Sequence, residues 1–205
     1  MKALTPHNLN SQQARKEWHL LKALLASKPS LDERKDILPF FSKCYDLSLL
    51  ISYYYPAIRN PDVIAHKFPL GGDFKADLVV GDSKAHEYVL VEFEDASAKS
   101  LFSGSRAKRD WSKRFEGAFS QLVDWIYKIE DMRVTDDFSH TFGNRKASFH
   151  GLIVIGKGLK LSTSEQARLR WRVEHIMVDS KRVEIKSFDD LLDDMDFWLS
   201  KYRNV

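Results

Sequence analysis

Two glutamates that follow the most apolar short run of the chain are well placed for chemistry. Glu92 and Glu94 come directly after Tyr88–Val91, a β-branched and aromatic run that turn-forming residues precede, which is typical of a buried strand. Because side chains alternate along a strand, both carboxylates share one face and lie roughly 7 Å apart at about 3.4 Å per residue. Burying such charges is costly unless they are paired or bind a cation, so the pattern indicates a cation-binding or catalytic site.

A third carboxylate, Asp77, lies in the preceding strand-like segment. Residues 74–80 alternate in polarity, which puts Lys75 and Asp77 on the same face. The short turn at 81–84 joins this segment to the next strand and predicts an antiparallel hairpin. Asp77 lies toward the middle of its strand and Glu92 toward the end of the other, so the two need not be directly opposite. We expect their side chains to converge where the strands twist apart.

The periodicities around these residues predict a mixed α/β fold. The predicted helices span 11–28, 111–132, 162–171 and 188–202, and segment 32–54 is predicted as one longer helix or two shorter ones. The predicted strands span 63–68, 74–80, 87–93, 149–155, 173–178 and 182–185. Segment 95–110 is predicted to be a loop, and 133–147 is polar with no assigned element. A hairpin followed by strand–helix–strand crossovers implies a mixed sheet with helices on its faces.

The composition is that of an ordinary intracellular globular protein. The 205 residues are 43% hydrophobic and 30% charged, which suits one domain with a sizeable core. The single cysteine, Cys44, excludes an internal disulfide and a cysteine-based zinc site. The sequence has no run of about 20 apolar residues and no signal-peptide core, so we expect a cytoplasmic protein without membrane contact.

Basic residues are concentrated between positions 99 and 114, although the net charge is only +3. A basic face that neutralises phosphates is one interpretation, with DNA as the expected partner and Trp111 available for stacking on a base. An ordinary solvated surface is the alternative. The predicted nucleic-acid-binding residues are Lys99, Arg106, Lys108, Arg109, Lys113 and Arg114.

The order of these motifs resembles the PD-(D/E)XK nuclease superfamily. Its pattern is an acid on one strand, acid-x-lysine on the next and often a glutamine on the following helix. Asp77 and Glu92 match the two acids, and Gln121 matches the glutamine. Most of the chain after residue 30 more closely resembles the domain of Shedu-type bacterial anti-phage proteins. The resembling pieces are 33–41, 71–77, 91–94, 183–191 and the helix that carries Gln121.

The resemblance implies a fold, a reaction and a cofactor. The implied fold is a restriction-endonuclease-like mixed sheet flanked by helices over residues 31–205, after an N-terminal helical extension over 1–30. The implied reaction is phosphodiester hydrolysis with Mg²⁺ or Mn²⁺, which binds hard oxygen ligands. Asp77 and Glu92 would be metal ligands, and Glu94 a further ligand or the general base. Glu33 would complete the shell through water, and Gln121 would orient a ligand or a phosphate.

One position departs from the family pattern. The pattern has lysine at position 94, where this chain has Glu94. The resemblance implies that such a lysine orients or activates the attacking water, so another cation would have to take over. Lys75 is the first candidate because it shares a strand face with Asp77, and Lys99 and Lys108 are further candidates.

Three functions therefore remain open. The leading hypothesis is a metal-dependent nuclease of bacterial anti-phage defence. The second is a catalytically silent module of the same fold that binds nucleic acid or a partner protein, and the third is a structural or regulatory subunit; a homo-oligomer is compatible with each. Simpler interpretations of the site also stand. Asp77 pairs with Lys75 or caps a turn, Glu92 and Glu94 line a solvated strand end and bind lysine side chains, and Gln121 is an exposed helix residue.

Overall fold

The computed structural model describes residues 3–72, 74–105 and 108–201, without the side chain of Lys108. Arg106, predicted to bind nucleic acid, lies outside the described residues. The α-helices are α1 (Ser11–Ser27), α2 (Leu38–Phe41), α3 (Tyr45–Leu49), α4 (Lys113–Met132), α5 (Asp136–Phe142), α6 (Thr163–His175) and α7 (Phe188–Lys201). The strands are β1 (Thr5–Pro6), β2 (Val63–Leu70), β3 (Phe74–Asp82), β4 (Glu87–Phe93), β5 (Phe102–Ser105), β6 (Lys108–Trp111), β7 (Ser148–Val154), β8 (Met177–Val178) and β9 (Lys181–Lys186).

A mixed seven-stranded sheet forms the centre of the fold, as predicted. Its order is β1-β2-β3-β4-β7-β9-β8. Strands β1 to β4 are antiparallel, β4, β7 and β9 run parallel, and β8 closes the far edge antiparallel to β9. The parallel pairs need crossovers, which α4 and α6 supply along the chain. The α/β class is therefore confirmed.

Helices cover both faces of this sheet. On one face α1, α3 and α7 enclose a core that includes Leu21, Leu78, Val91 and Phe188. On the other face α4 packs with its apolar stripe over Val79, Leu90 and Ile153. Because α1 packs against α3 and α7, it shares its core with the sheet, and the boundary at residue 30 stays a prediction. Along the described ranges, no helix is long and apolar enough to cross a bilayer.

Two segments carry elements that the sequence analysis did not assign. The predicted loop at 95–110 was wrong, because β5 and β6 form an antiparallel hairpin in which Phe102 opposite Trp111 stacks at 4.3 Å between ring centroids. Within 133–147, α5 begins at the cap residue Thr135, whose hydroxyl accepts a hydrogen bond from the amide of Phe138. Phe138 and Phe142 then bury one side of that helix.

Two further boundaries differ from the predictions. Segment 32–54, predicted as one longer helix or two shorter ones, divides into a π-helical turn (Glu33–Ile37), α2, α3 and a 3₁₀ turn (Leu50–Tyr54). Pro39 has no amide hydrogen to continue the ladder, and the preceding turn widens so that the amide of Leu38 bonds to the carbonyl of Glu33. Half of the predicted strand at 173–178 is helix, because α6 continues to His175 and leaves only two residues for β8.

Candidate active site

The β3–β4 hairpin places Asp77 opposite Glu92. The last recorded pair of this ladder is Leu78 with Val91, and one more step of the same register brings the two acids together. The backbone amide of Phe93 donates a hydrogen bond to Asp77 Oδ2 at 3.0 Å, which fixes that carboxylate at the end of β4. The convergence that the sequence left open is therefore produced by direct cross-strand pairing.

The predicted site residues gather in one open cleft of about 710 Å³. Four acids line it, together with four cations and Gln121, which is half-buried on α4. The acids are Glu33, Asp77, Glu92 and Glu94, and the cations are Arg34, Lys67, Lys75 and Arg114. Strand ends, the π-helical turn and α4 thus bring residues from four parts of the sequence to one place.

Glu92 is the most unusual group in the cleft. It is only 5% exposed, and its Oε2 atom is buried without a hydrogen-bond partner. Burial, followed by the negative charges of Asp77 and Glu94, raises the pKa of Glu92 far above its ordinary range. The carboxyl group is therefore protonated at neutral pH, unless a cation takes the place of the proton.

Glu94 and Glu33 are held by Arg114 from the first turn of α4. The guanidinium of Arg114 lies 2.6 Å from Glu94 Oε2, 3.6 Å from Glu33 Oε2 and 3.0 Å from Asp95 Oδ2. Burial raises the pKa of Glu94 to about 7, although Arg114 opposes the shift. Burial and the charge of Asp77 also raise the pKa of Glu33. Glu94 is thus close to half-protonated at neutral pH, which suits a group that exchanges protons.

Lys67 is the cation that contacts Asp77, and the sequence analysis did not identify it. Its Nζ lies 2.5 Å from Asp77 Oδ1; the Lys67 side chain is 51% exposed and that of Asp77 only 5%. Lys75 also lines the cleft, but among described residues it forms no ion pair with Asp77. The signal for Lys67 was the Gly71–Gly72 turn, because a hairpin closed there places residue 67 opposite residue 77.

Asp77 and Glu92 are the residues that would hold a hard cation in the cleft. These two residues supply carboxylate oxygens from adjacent strands. One of these oxygens, Oε2 of Glu92, has no hydrogen-bond partner. Magnesium keeps several waters and needs only one or two carboxylates from the protein. No three Asp, Glu, His or Cys side chains in the described part of the chain already form a metal-binding group. Glu33 and Glu94 contact Arg114 instead, so the four-residue metal set stays a prediction.

The predicted basic residues at 99–114 are dispersed. Arg114 belongs to the cleft, whereas Arg109 lies 3.4 Å from Glu165 and thus joins β6 to α6. Lys99 and Lys113 are exposed. The ring of Trp111 stacks on Phe102 and is covered by the guanidiniums of two α6 arginines, at 5.2 and 5.1 Å from its centroid. Trp111 is therefore part of the packing between the hairpin and α6.

Sequence comparison identifies the family to which the chain belongs. No curated protein gives a significant match to the chain. Residues 30–192 match the family model described as "Shedu protein SduA, C-terminal", and this range includes every acid of the cleft. The match covers well over half of the 205 residues, so the chain belongs to the Shedu family, which implies a role in anti-phage defence.

Proposed function

We propose that the cleft hydrolyses phosphodiester bonds of nucleic acid with the help of a divalent cation, as the effector step of anti-phage defence. The observation that carries the proposal is the buried, unpartnered Oε2 of Glu92 beside Asp77 in an open cleft. A carboxyl group buried beside other acids is costly, and stability alone gives no reason to keep it. A site that binds a hard cation does give one.

The side chains divide the work as follows. Asp77 and Glu92 would hold the cation, which when bound polarises a phosphoryl oxygen and lowers the pKa of a coordinated water. Glu94, with a pKa of about 7, accepts a proton from water at neutral pH. Arg114 keeps Glu94 oriented through its 2.6 Å contact. Gln121 lines the same cleft and can donate a hydrogen bond to a phosphate oxygen.

The test is cleavage of labelled DNA and RNA, single- and double-stranded, by purified protein with Mg²⁺ or Mn²⁺. We expect Asp77→Asn and Glu92→Gln each to abolish cleavage while the protein stays folded. The matched control is Asp124→Asn, the same acid-to-amide change at an exposed position of α4, which should leave the rate unchanged. Cleavage that survives both cleft substitutions together would refute the assignment of the site.

A nucleic-acid-binding module without turnover is the second candidate. Lys67 already neutralises Asp77, and Arg114 already neutralises Glu94, so part of the acidic cluster is satisfied without a metal. This candidate predicts salt-sensitive binding of nucleic acid and no cleavage with any divalent cation. A cleavage rate that depends on metal and on Glu92 excludes it.

A further inference from the structure

Two different elements bring cations to the cleft that holds the acids. Arg34 lies on the π-helical turn, and Lys67 and Lys75 lie on the β2–β3 hairpin. All three residues are exposed, whereas Asp77 and Glu92 are buried. We call these three exposed cations the rim of the cleft. Exposed positive charges of this kind attract a polyanion.

Arg34 and Lys75 have charges that are available to a ligand. Neither residue forms an ion pair with any residue that the structure describes. Arg114, in contrast, contacts three acids, and Arg109 is joined to Glu165. An unpaired guanidinium or ammonium at a rim can neutralise a phosphate without first breaking an internal contact.

The spacing of the hairpin lysines suits a linear polyanion. In the register of β2 and β3, Lys67 lies opposite Asp77, between the recorded pairs of residues 66 and 68. Lys75 lies opposite Pro69, which is two residues closer to the tip of the hairpin than Lys67. Two residues of strand span roughly 7 Å, and a nucleic-acid strand carries one phosphate per about 3.4 Å of axis. The lysines can therefore contact different phosphates of one strand along the hairpin, while Arg34 lines the same cleft from the π-helical turn.

We infer that a nucleic-acid backbone crosses the cleft between Arg34 and the β2–β3 hairpin, with its phosphates on Arg34 and Lys75. Lys67 is paired with Asp77 but is 51% exposed, so it can contact a further phosphate beside them. The inference rests on the proposed function, and it assigns the path of the ligand to this rim in place of the basic segment 99–114. The scissile phosphate would then lie next to Asp77 and Glu92, because those acids line the same cleft.

Two charge-matched double variants test this path. Arg34→Ala with Lys75→Ala removes two rim cations, and Lys99→Ala with Lys113→Ala removes two exposed cations of the segment predicted from sequence. Each changes the net charge by the same amount, and circular dichroism and thermal melts establish that both are folded. Binding of a labelled 30-base-pair duplex and a labelled single strand is followed by fluorescence anisotropy in EDTA, so that no metal-dependent cleavage occurs during the titration.

The expected result is a weaker salt dependence for the rim variant alone. Loss of two phosphate contacts lowers the slope of log K against log salt by about 1.8 for duplex and about 1.4 for single strand. Between about 50 and about 200 mM salt, the wild-type protein would then lose about tenfold more duplex affinity than the rim variant. The control variant should keep the wild-type slope.

Other outcomes overturn the path. Equal losses in the two variants, a larger loss in the control variant, unchanged binding in the rim variant, or no binding by the wild-type protein would each do so. The proposed hydrolysis is judged separately, by cleavage and its dependence on Glu92. Binding that depends on the rim cations, without cleavage, would support the path and reject the proposed hydrolysis. Cleavage that depends on Glu92, with unchanged binding by the rim variant, would support the hydrolysis and reject the path.

Discussion

Replacing Glu92 with glutamine should make the folded protein more stable at neutral pH while removing the proposed activity. The carboxyl group is 5% exposed and has no partner on Oε2, so the folded state holds it in the neutral form. In the unfolded chain the same group is ionised at pH 7. The protein must therefore bind a proton at Glu92 when it folds, which costs free energy at pH 7. The side chain of glutamine has nearly the same shape and is already neutral, so the variant avoids this cost.

The size of the effect follows from the pKa in the two states. With a pKa of 4.5 in the unfolded chain and about 10 in the folded protein, protonation at pH 7 costs about 2.5 pH units at about 1.36 kcal/mol each, or about 3 kcal/mol. Because folding raises the pKa of Glu92, the contribution of this group to the free energy of unfolding is complete at low pH and is lost as pH rises above 4.5. The advantage of Glu92→Gln is thus about 3 kcal/mol at most at pH 7 and less than about 1 kcal/mol at pH 5.

Urea denaturation of both proteins at several values between pH 5 and pH 8 measures this difference. Glu165→Gln is a control of opposite sign, because hydrogen bonding in the capping box of α6 lowers the pKa of Glu165. Its contribution to stability is present above pH 4.5 and is lost as pH falls, so that substitution should destabilise most at neutral pH. A Glu92→Gln protein that is less stable than wild type at pH 7, or whose advantage does not grow with pH, would refute the reasoning.

Three further predictions concern the cations and the metal. Lys67→Met should tighten Mn²⁺ binding in calorimetry, because the ammonium competes for Asp77; weaker binding would contradict this. Mn²⁺ binding to the wild-type protein should release about one proton at pH 7, since Glu92 must lose its own, and enthalpies in two buffers of different ionisation heat measure that release. Arg114→Met should destabilise the protein to urea by about 1 kcal/mol, a modest loss because its side chain is 42% exposed, and Arg114→Lys should lose less.

The sequence predicted the elements that carry the acids better than it predicted their register. Gly81 and Asp82 are typical turn residues, so the turn was placed at 81–84. In the structure both belong to β3, and the Asp82 carboxylate accepts hydrogen bonds from the amides of Lys84 and Ala85 in the true turn at 83–86. A turn moved by two residues shifts the pairing by four, which is why Glu92 was not expected directly opposite Asp77.

Contacts between distant elements could not be read from local patterns. Arg114 appeared to belong to a basic segment, because its sequence neighbours are basic, but its guanidinium reaches acids at the end of β4 and on the π-helical turn. The π-helical turn depends on its position directly before α2, in which Pro39 occupies the first turn. Thr135, in contrast, is a local signal for the start of a helix, and it predicts α5 from the sequence alone.

On the proposed function, the balance of charge in the cleft would link metal binding to nucleic-acid binding. Four acids and four cations line the cleft, so with Glu92 protonated and Glu94 about half-protonated the lining has a net charge between about +1 and about +2. A divalent cation would add two charges and displace the proton of Glu92, which makes the lining about one charge more positive. A polyanion is then held more strongly, and by reciprocity it strengthens the binding of the cation. While Glu92 keeps its proton, the cleft would therefore bind the divalent cation or the nucleic acid alone more weakly than it binds the two together.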